Sequence, residues 1–299
     1  MKFTLLTGTL MVPALLAGGC TVTVDSQSQI VREEKEYTVT GTPTLRLATF
    51  DGSIQIQSWD NPGVRVEIEK RGPTREALDA LEVISSQDGN TIELEVKQPR
   101  RESFTGIGLN RSASARLIVS LPRRTDVRAR SGDGSIQIER VNGRIELNTG
   151  DGSIRATDVD GELMLHTGDG SVTVDGAQGR LDLETGDGSV NVTGKLTGVR
   201  LHTGDGSIVY RAQSGSAMTA DWEITTGDGG VSLYLPSDFS AELDAHTGDG
   251  TIRNDLSLES GGRGEVSRRT VKGRIGSGGR QLKIRTGDGS IALRAITNP

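Results

Sequence analysis

From residue 131 onward the apolar side chains come in pairs split by one polar residue, and every pair is followed by a turn. Ile136 with Ile138 and Ile145 with Leu147 set the pattern. Alternation of period two places each pair on one face of a short strand. The same slots are refilled every 18 residues by Ile154, Ala156, Leu163 and Leu165, then Val172, Val174, Leu181 and Leu183, then Val190, Val192, Val199 and Leu201. A Thr-Gly-Asp-Gly tetrapeptide punctuates the series. Its aspartates are Asp133 (in Ser-Gly-Asp-Gly), Asp151, Asp169, Asp187 and Asp205, followed at longer spacings by Asp228, Asp249 and Asp288. A fixed period near 20 residues marks a solenoid, in which one coil cannot bury its apolar face alone.

Two strands per repeat fit either an antiparallel meander or a coil whose strands stack on counterparts 18 positions away. Consecutive copies without insertion favour the coil, because each strand must land in register on its neighbour. The expectation is an all-β, parallel β-solenoid (β-helix or β-roll) with two short strands per coil of about 18 residues. Gly168 and Gly170 are expected to give one turn its positive φ, and Gly176 and Gly179 the other. Weaker copies extend the pattern to Ile54, Ile56, Val64, Val66, Val127 and Ala129, and to Trp222/Ile224, Leu243/Ala245 and Leu282/Ile284. Ile92 to Val96 and Leu117 to Val119 are further strand candidates. Thr74 as N-cap, with Ala77, Leu78 and Leu81 on one face, predicts one short helix over 74–83 that covers an end or flank of the stack.

The ends follow other rules. Residues 1–20 read as a lipoprotein signal peptide: Lys2, then a stretch from Phe3 to Leu16 too short to span a bilayer, then Leu16-Ala17-Gly18-Gly19-Cys20. This resembles the bacterial lipobox, which implies lipidation of Cys20. Cys20 is the single cysteine, so no disulfide forms within the chain. Residues 21–38 read as a flexible tether. Residues 39–130 form an irregular β part with the helix, and 131–297 the regular repeat, with a Gly-rich basic insertion over 255–281. That insertion and a polar loop over 100–114 are expected to project from the stack, where binding commonly resides. Glycine, at 41 residues, is high for 299 residues, but its place in periodic turns argues for order. A net charge of -6 gives no reason to expect nucleic acid as a partner.

Leu121-Pro122 followed by alternating strands, the Thr-Gly-Asp-Gly-Ser-Ile/Val turns, and the closing Gly273-Arg274-Ile275-Gly276-Ser277-Gly278-Gly279 with Leu282 to Leu293 resemble the bacterial putative-adhesin family of β-strand repeat proteins, over roughly residues 40–295. The resemblance implies an adhesin-like role and carries over no catalytic residues.

The aspartate ladder is the foremost candidate site. Carboxylates one coil apart repel by about 0.9 kcal/mol per pair in water. The expectation is that turn amides cap each Asp; the alternative is calcium between coils, although one carboxylate per coil falls short of the six to eight oxygens calcium takes. His166, His202 and His246 share a slot before the turn, but His166 and His202 stand two coils apart, too far to share a metal directly, and the slot reads as an exposed polar position. Tyr210, Trp222, Tyr234 and Phe239 gather in the lengthened coils, where packing of a widened interior is preferred over stacking on sugars. No cofactor, metal site or catalytic group is expected. The chain reads as a non-enzymatic, exported lipoprotein, held in the membrane by its anchor. Its partner would be a surface polysaccharide or envelope protein. The alternatives are an envelope-stress or signalling accessory and a polysaccharide-active β-helix enzyme. Thr21 after Cys20, in place of aspartate, favours the outer membrane.

Overall fold

The structure, a computed structural model, describes residues 21–25, 28–98, 113–259 and 265–296. The expected signal peptide with Cys20 lies outside them, as does most of the expected 100–114 loop. The chain is all-β and solenoid-like: its strands form one continuous hydrogen-bonded sheet wound round an aliphatic interior. Each turn of the winding, a rung, contributes one strand to each of two flanks. In the regular part, residues 18 apart pair in parallel: Ile136 with Ile154, Ile154 with Val172, and Ile145 with Leu163. Two strands per rung are not always separate, since Val172–Thr185 and Val190–Thr203 run unbroken round the bend between flanks.

Each rung buries more than the alternation revealed. Besides the two pairs, Val141, Val159 and Ala177 at the bend point inward at 0–1% exposure. So does the threonine that opens the tetrapeptide, at 0–2% for Thr149, Thr167, Thr185, Thr203, Thr226 and Thr247.

The stacking order departs from chain order at both ends. Thr44–Thr49 lies between Thr91–Lys97 and Asp126–Ser131, parallel to both. Ile54–Trp59 lies between Ser114–Pro122 and Ile136–Glu139. The first rung in sequence is therefore an interior one. The C-terminal end mirrors this. Gln281–Thr286 and Ile291–Ile296 insert between Trp222–Thr226/Val231–Pro236 on one side and Ala241–Thr247/Ile252–Asn254 on the other.

Antiparallel segments close the ends, so the pairing is not parallel throughout. Glu82–Asp88 flanks Thr91–Lys97, and Val64–Gly72 flanks Ser114–Pro122. The helix is shorter than expected, Arg75–Asp79, with Thr74 Oγ1 accepting from the Ala77 amide at 3.2 Å. Leu78 and Leu81 are buried at 1% and 3%, which plugs this end. At the other end the described residues of the 255–281 insertion, 255–259 and 265–281, form a cap on the stack in place of the projecting loop expected there. Thr270–Ile275 runs antiparallel to Ala241–Thr247, and Leu256 and Leu258 pack on the core.

The tether expected over 21–38 is also corrected. Ser28–Tyr37 is a strand, antiparallel to Val64–Gly72 and to Thr21–Asp25. Its few apolar groups mislead because cross-strand charges hold it: Arg32 to Glu69 at 2.9 Å, Lys70 to Glu33 at 2.8 Å and Arg65 to Glu36 at 2.7 Å, with Val31 buried.

Candidate functional site

The tetrapeptide turns form a column along one edge, in the rung order Asp51, Asp133, Asp151, Asp169, Asp187, Asp205, Asp228, Asp288, Asp249. Backbone bonds fix that order, with the Gly287 amide donating to Gly227 O at 2.6 Å and the Asp249 amide to Gly287 O at 2.9 Å. The expectation that turn amides cap the aspartates does not hold. From Asp133 to Asp288 the tetrapeptide carboxylates point to solvent, and the capping belongs to threonine. Thr167 Oγ1 donates to Gly152 O at 2.8 Å in the rung below and accepts from the Gly170 amide at 3.2 Å. Thr203, Thr226 and Thr286 repeat both bonds.

Nor do Gly168 and Gly170 supply a positive φ. Gly170 is required by approach: a Cβ there would lie 2.0 Å from Gly152 O. The left-handed residues sit in the other turn, at Gly176 (φ 68°) and Gly179 (φ 101°), with Arg140 (φ 56°) and Asp158 (φ 50°) at the equivalents of Gly176. Among the described residues no group of three or more His, Asp or Glu side chains is placed to hold a metal ion. His166 and His202 are separated by Glu184 and never meet. His166 Nδ1 lies 3.7 Å from Glu184, and His246 Nδ1 lies 3.0 Å from Thr270 Oγ1.

The aromatic residues divide. Tyr210, Trp222 and Phe239 are at 0–2% exposure inside the longer rungs, with centroids 5.6 and 5.1 Å apart. Burial pushes the Tyr210 phenol up. Tyr234 instead faces outward.

The two flanks differ in charge. On the flank that leads into the tetrapeptides, cations and carboxylates meet rung by rung. Arg46 pairs with Glu93 (2.6 Å), Arg128 with Glu146, Lys283 with Glu223 (2.9 Å), and Arg285 with Asp244 (2.7 Å). The Lys283 hydrogen bond holds the Glu223 carboxyl below the usual range. The flank that follows the tetrapeptides carries Gln55, Gln137, Thr173, Asn191 and Ser232, the carboxylates Glu139 and Asp175, and Arg155, Arg211, Arg253 and Arg294. Among the described residues none of these four arginines has a carboxylate oxygen within 4 Å. Arg211 stacks on the Tyr234 ring at 4.1 Å, and Arg294 lies 5.5 Å from the same ring. Sequence reasoning grouped Tyr234 with the interior aromatics and passed over these arginines. One signal was available: Arg211, Tyr234 and Arg294 each stand six residues after a tetrapeptide aspartate.

The profile of the Toastrack DUF4097 family matches residues 43–294, from the first interior rung to the inserted last one. The chain belongs to this family. The Toastrack assignment agrees with the resemblance to putative adhesins and with an all-β, solenoid-like fold. No curated protein matches the chain. Solved structures similar to it include a putative cell adhesion protein from Clostridium sporogenes (15% identity, TM-score 0.29, 89% of this chain and 99% of that one). Others are a putative adhesin from Bacteroides fragilis (12%, 0.42, 88% and 96%) and a putative lipid binding protein from Parabacteroides distasonis (13%, 0.40, 88% and 96%). Likeness of this degree adds nothing to the Toastrack assignment. No helix among the described residues is long and apolar enough to cross a membrane.

Proposed function

We propose that this chain is a non-enzymatic binding module of the bacterial envelope, adhesin-like in role, exported and anchored by lipid on Cys20. The observation that carries the reading is the filled interior. From Leu45 to Leu293 the inward side chains are almost wholly excluded from solvent, so other molecules meet the chain on its flanks and turn edges. Rungs about 4.8 Å apart repeat outward side chains at fixed steps, a geometry suited to an extended partner.

The test has two parts. Cells expressing the wild type and Cys20→Ala are fed an alkyne-tagged palmitate, and intact cells are treated with protease. The expected result is label and membrane retention in the wild type, both lost in Cys20→Ala. An unlabelled, freely soluble wild type would overturn the anchor. Cleavage on intact cells supports surface exposure, whereas cleavage only after the outer membrane is opened places the module in the periplasm. Capture of one defined membrane protein by cross-linking would favour the signalling accessory instead.

A further inference from the structure

We infer that the flank after the tetrapeptides carries, in its C-terminal third, a docking strip for a linear polysaccharide bearing carboxylate groups. The inference rests on the binding-module reading and names its ligand class. Arg211, Tyr234 and Arg294 occupy one row in three successive rungs, because Arg211 pairs with Tyr234 and Tyr234 with Arg294. The last pairing exists only because the 291–296 strand is inserted beside 231–236. Arg253 extends the strip from the neighbouring row, opposite Ala292.

The Tyr234 ring lies within reach of two guanidinium groups whose backbones stand two rungs, ~9.6 Å, apart along the stack axis. A guanidinium stacked on an aromatic face keeps its N–H edge free for bidentate binding of a carboxylate. Arg294 donates one N–H to Tyr234 Oη at 3.4 Å. Of the nearby carboxylates one is already engaged, while Asp255 and the exposed Asp175, two rungs before Arg211 in the same row, oppose an anionic ligand. Asp238 is engaged by Ser214 Oγ and the Gly215 amide, both at 3.0 Å. Asp255, one rung beyond Arg294, makes no ion pair among the described residues. The aspartate column lies six residues away along each rung, on the order of 15–20 Å, about two Debye lengths at physiological salt.

A polysaccharide fits better than a membrane surface. Membrane-binding faces combine cations with protruding Trp, Phe or Leu. The large exposed apolar side chains here, Ile84 and Val266, lie elsewhere. Ser232 stands in the rung between Arg211 and Arg294, and Asn191 and Thr193 in the rung before Arg211, small hydrogen-bonding groups suited to sugar hydroxyls.

The full chain in phosphatidylcholine nanodiscs is tested for retention on beads bearing polygalacturonate, neutral dextran or phosphatidylglycerol. Polygalacturonate should retain the wild type and dextran should not. The double variant Arg211→Gln/Arg294→Gln should weaken retention about tenfold or more, as loss of two charge-assisted contacts implies. Arg128→Gln/Arg130→Gln, on the other flank, should change it less than about twofold. Arg211→Lys/Arg294→Lys keeps the charge and should still lose affinity, while Asp255→Asn should gain it. Equal losses from the two glutamine doubles, or unchanged binding in the first, would overturn the strip. So would retention on phosphatidylglycerol alone. Binding to dextran or to a protein partner without polygalacturonate would sink the strip and leave the binding-module reading standing. Melting curves of each variant exclude misfolding as the cause.

Discussion

At the scale of single residues, the tetrapeptide divides its labour in a way its letters conceal. Thr167 is buried and joins two rungs, whereas Asp169 is exposed and joins nothing. Thr167→Val keeps the shape and strands the Gly152 carbonyl and the Gly170 amide, which should cost about 1–3 kcal/mol. Asp169→Asn should change stability by less than about 0.5 kcal/mol at physiological salt. Urea unfolding of both variants checks this, and the reverse ranking would restore the aspartate as the cap. The aspartate drew attention in the sequence because carboxylates carry chemistry, and a threonine next to two glycines looks like ordinary turn material. Only the distance across rungs tells them apart. The bend residues Val141 and Val159 escaped for a related reason: they face inward from a corner, where alternation no longer applies.

At the scale of elements, the rung itself was legible and its neighbours at the ends were not. Trp222/Ile224, Leu243/Ala245 and Leu282/Ile284 fill equivalent slots, so the apolar pattern fits any stacking order among them. The inserted position of 281–296 has a consequence for truncation. Removing residues 281–299 takes away an interior rung and leaves Trp222–Thr226 and Ala241–Thr247 each without a parallel partner on one side. The truncated chain should show protease cleavage between 205 and 281 under conditions in which the wild type resists. Adding a peptide of residues 281–299 should restore protection. Resistance of the truncated chain would mean that 241–254 docks directly on 222–236.

The strand Ser28–Tyr37 yields a prediction in pH. Burial pushes the Glu69 carboxyl up, but hydrogen bonds from Arg32 and Arg71 outweigh it and hold the group below its ordinary 4.5. Its stabilising contribution is therefore complete above that value and lost as pH falls through the depressed one. Amide exchange should show 28–37 opening before the central rungs on acidification, and Glu69→Gln should blunt that dependence.

At the scale of the molecule, like charges run the length of one edge at one per rung. Neighbouring aspartates repel by about 0.9 kcal/mol in water before screening. Raising salt from about 20 to 300 mM should raise Tm by a few degrees, since the Debye length falls well below the reach of this column. In Asp151→Asn/Asp187→Asn the four contacts from Asp133 to Asp205 vanish together, and the salt response should shrink by roughly half. An unaltered response would locate the repulsion elsewhere.

The inserted last rung also bears on how the chain comes into being. Synthesis delivers residues in order, so 241–254 emerges while the place it rests on is still unoccupied. Growth by adding one coil to the last, the natural course for a repeat protein, halts near residue 236. Only when residues 281–296 arrive can the terminus and the segment before it settle together. Maturation thus ends in a single concerted act, and a message cut short near its 3′ end yields a product that the fold itself fails to complete.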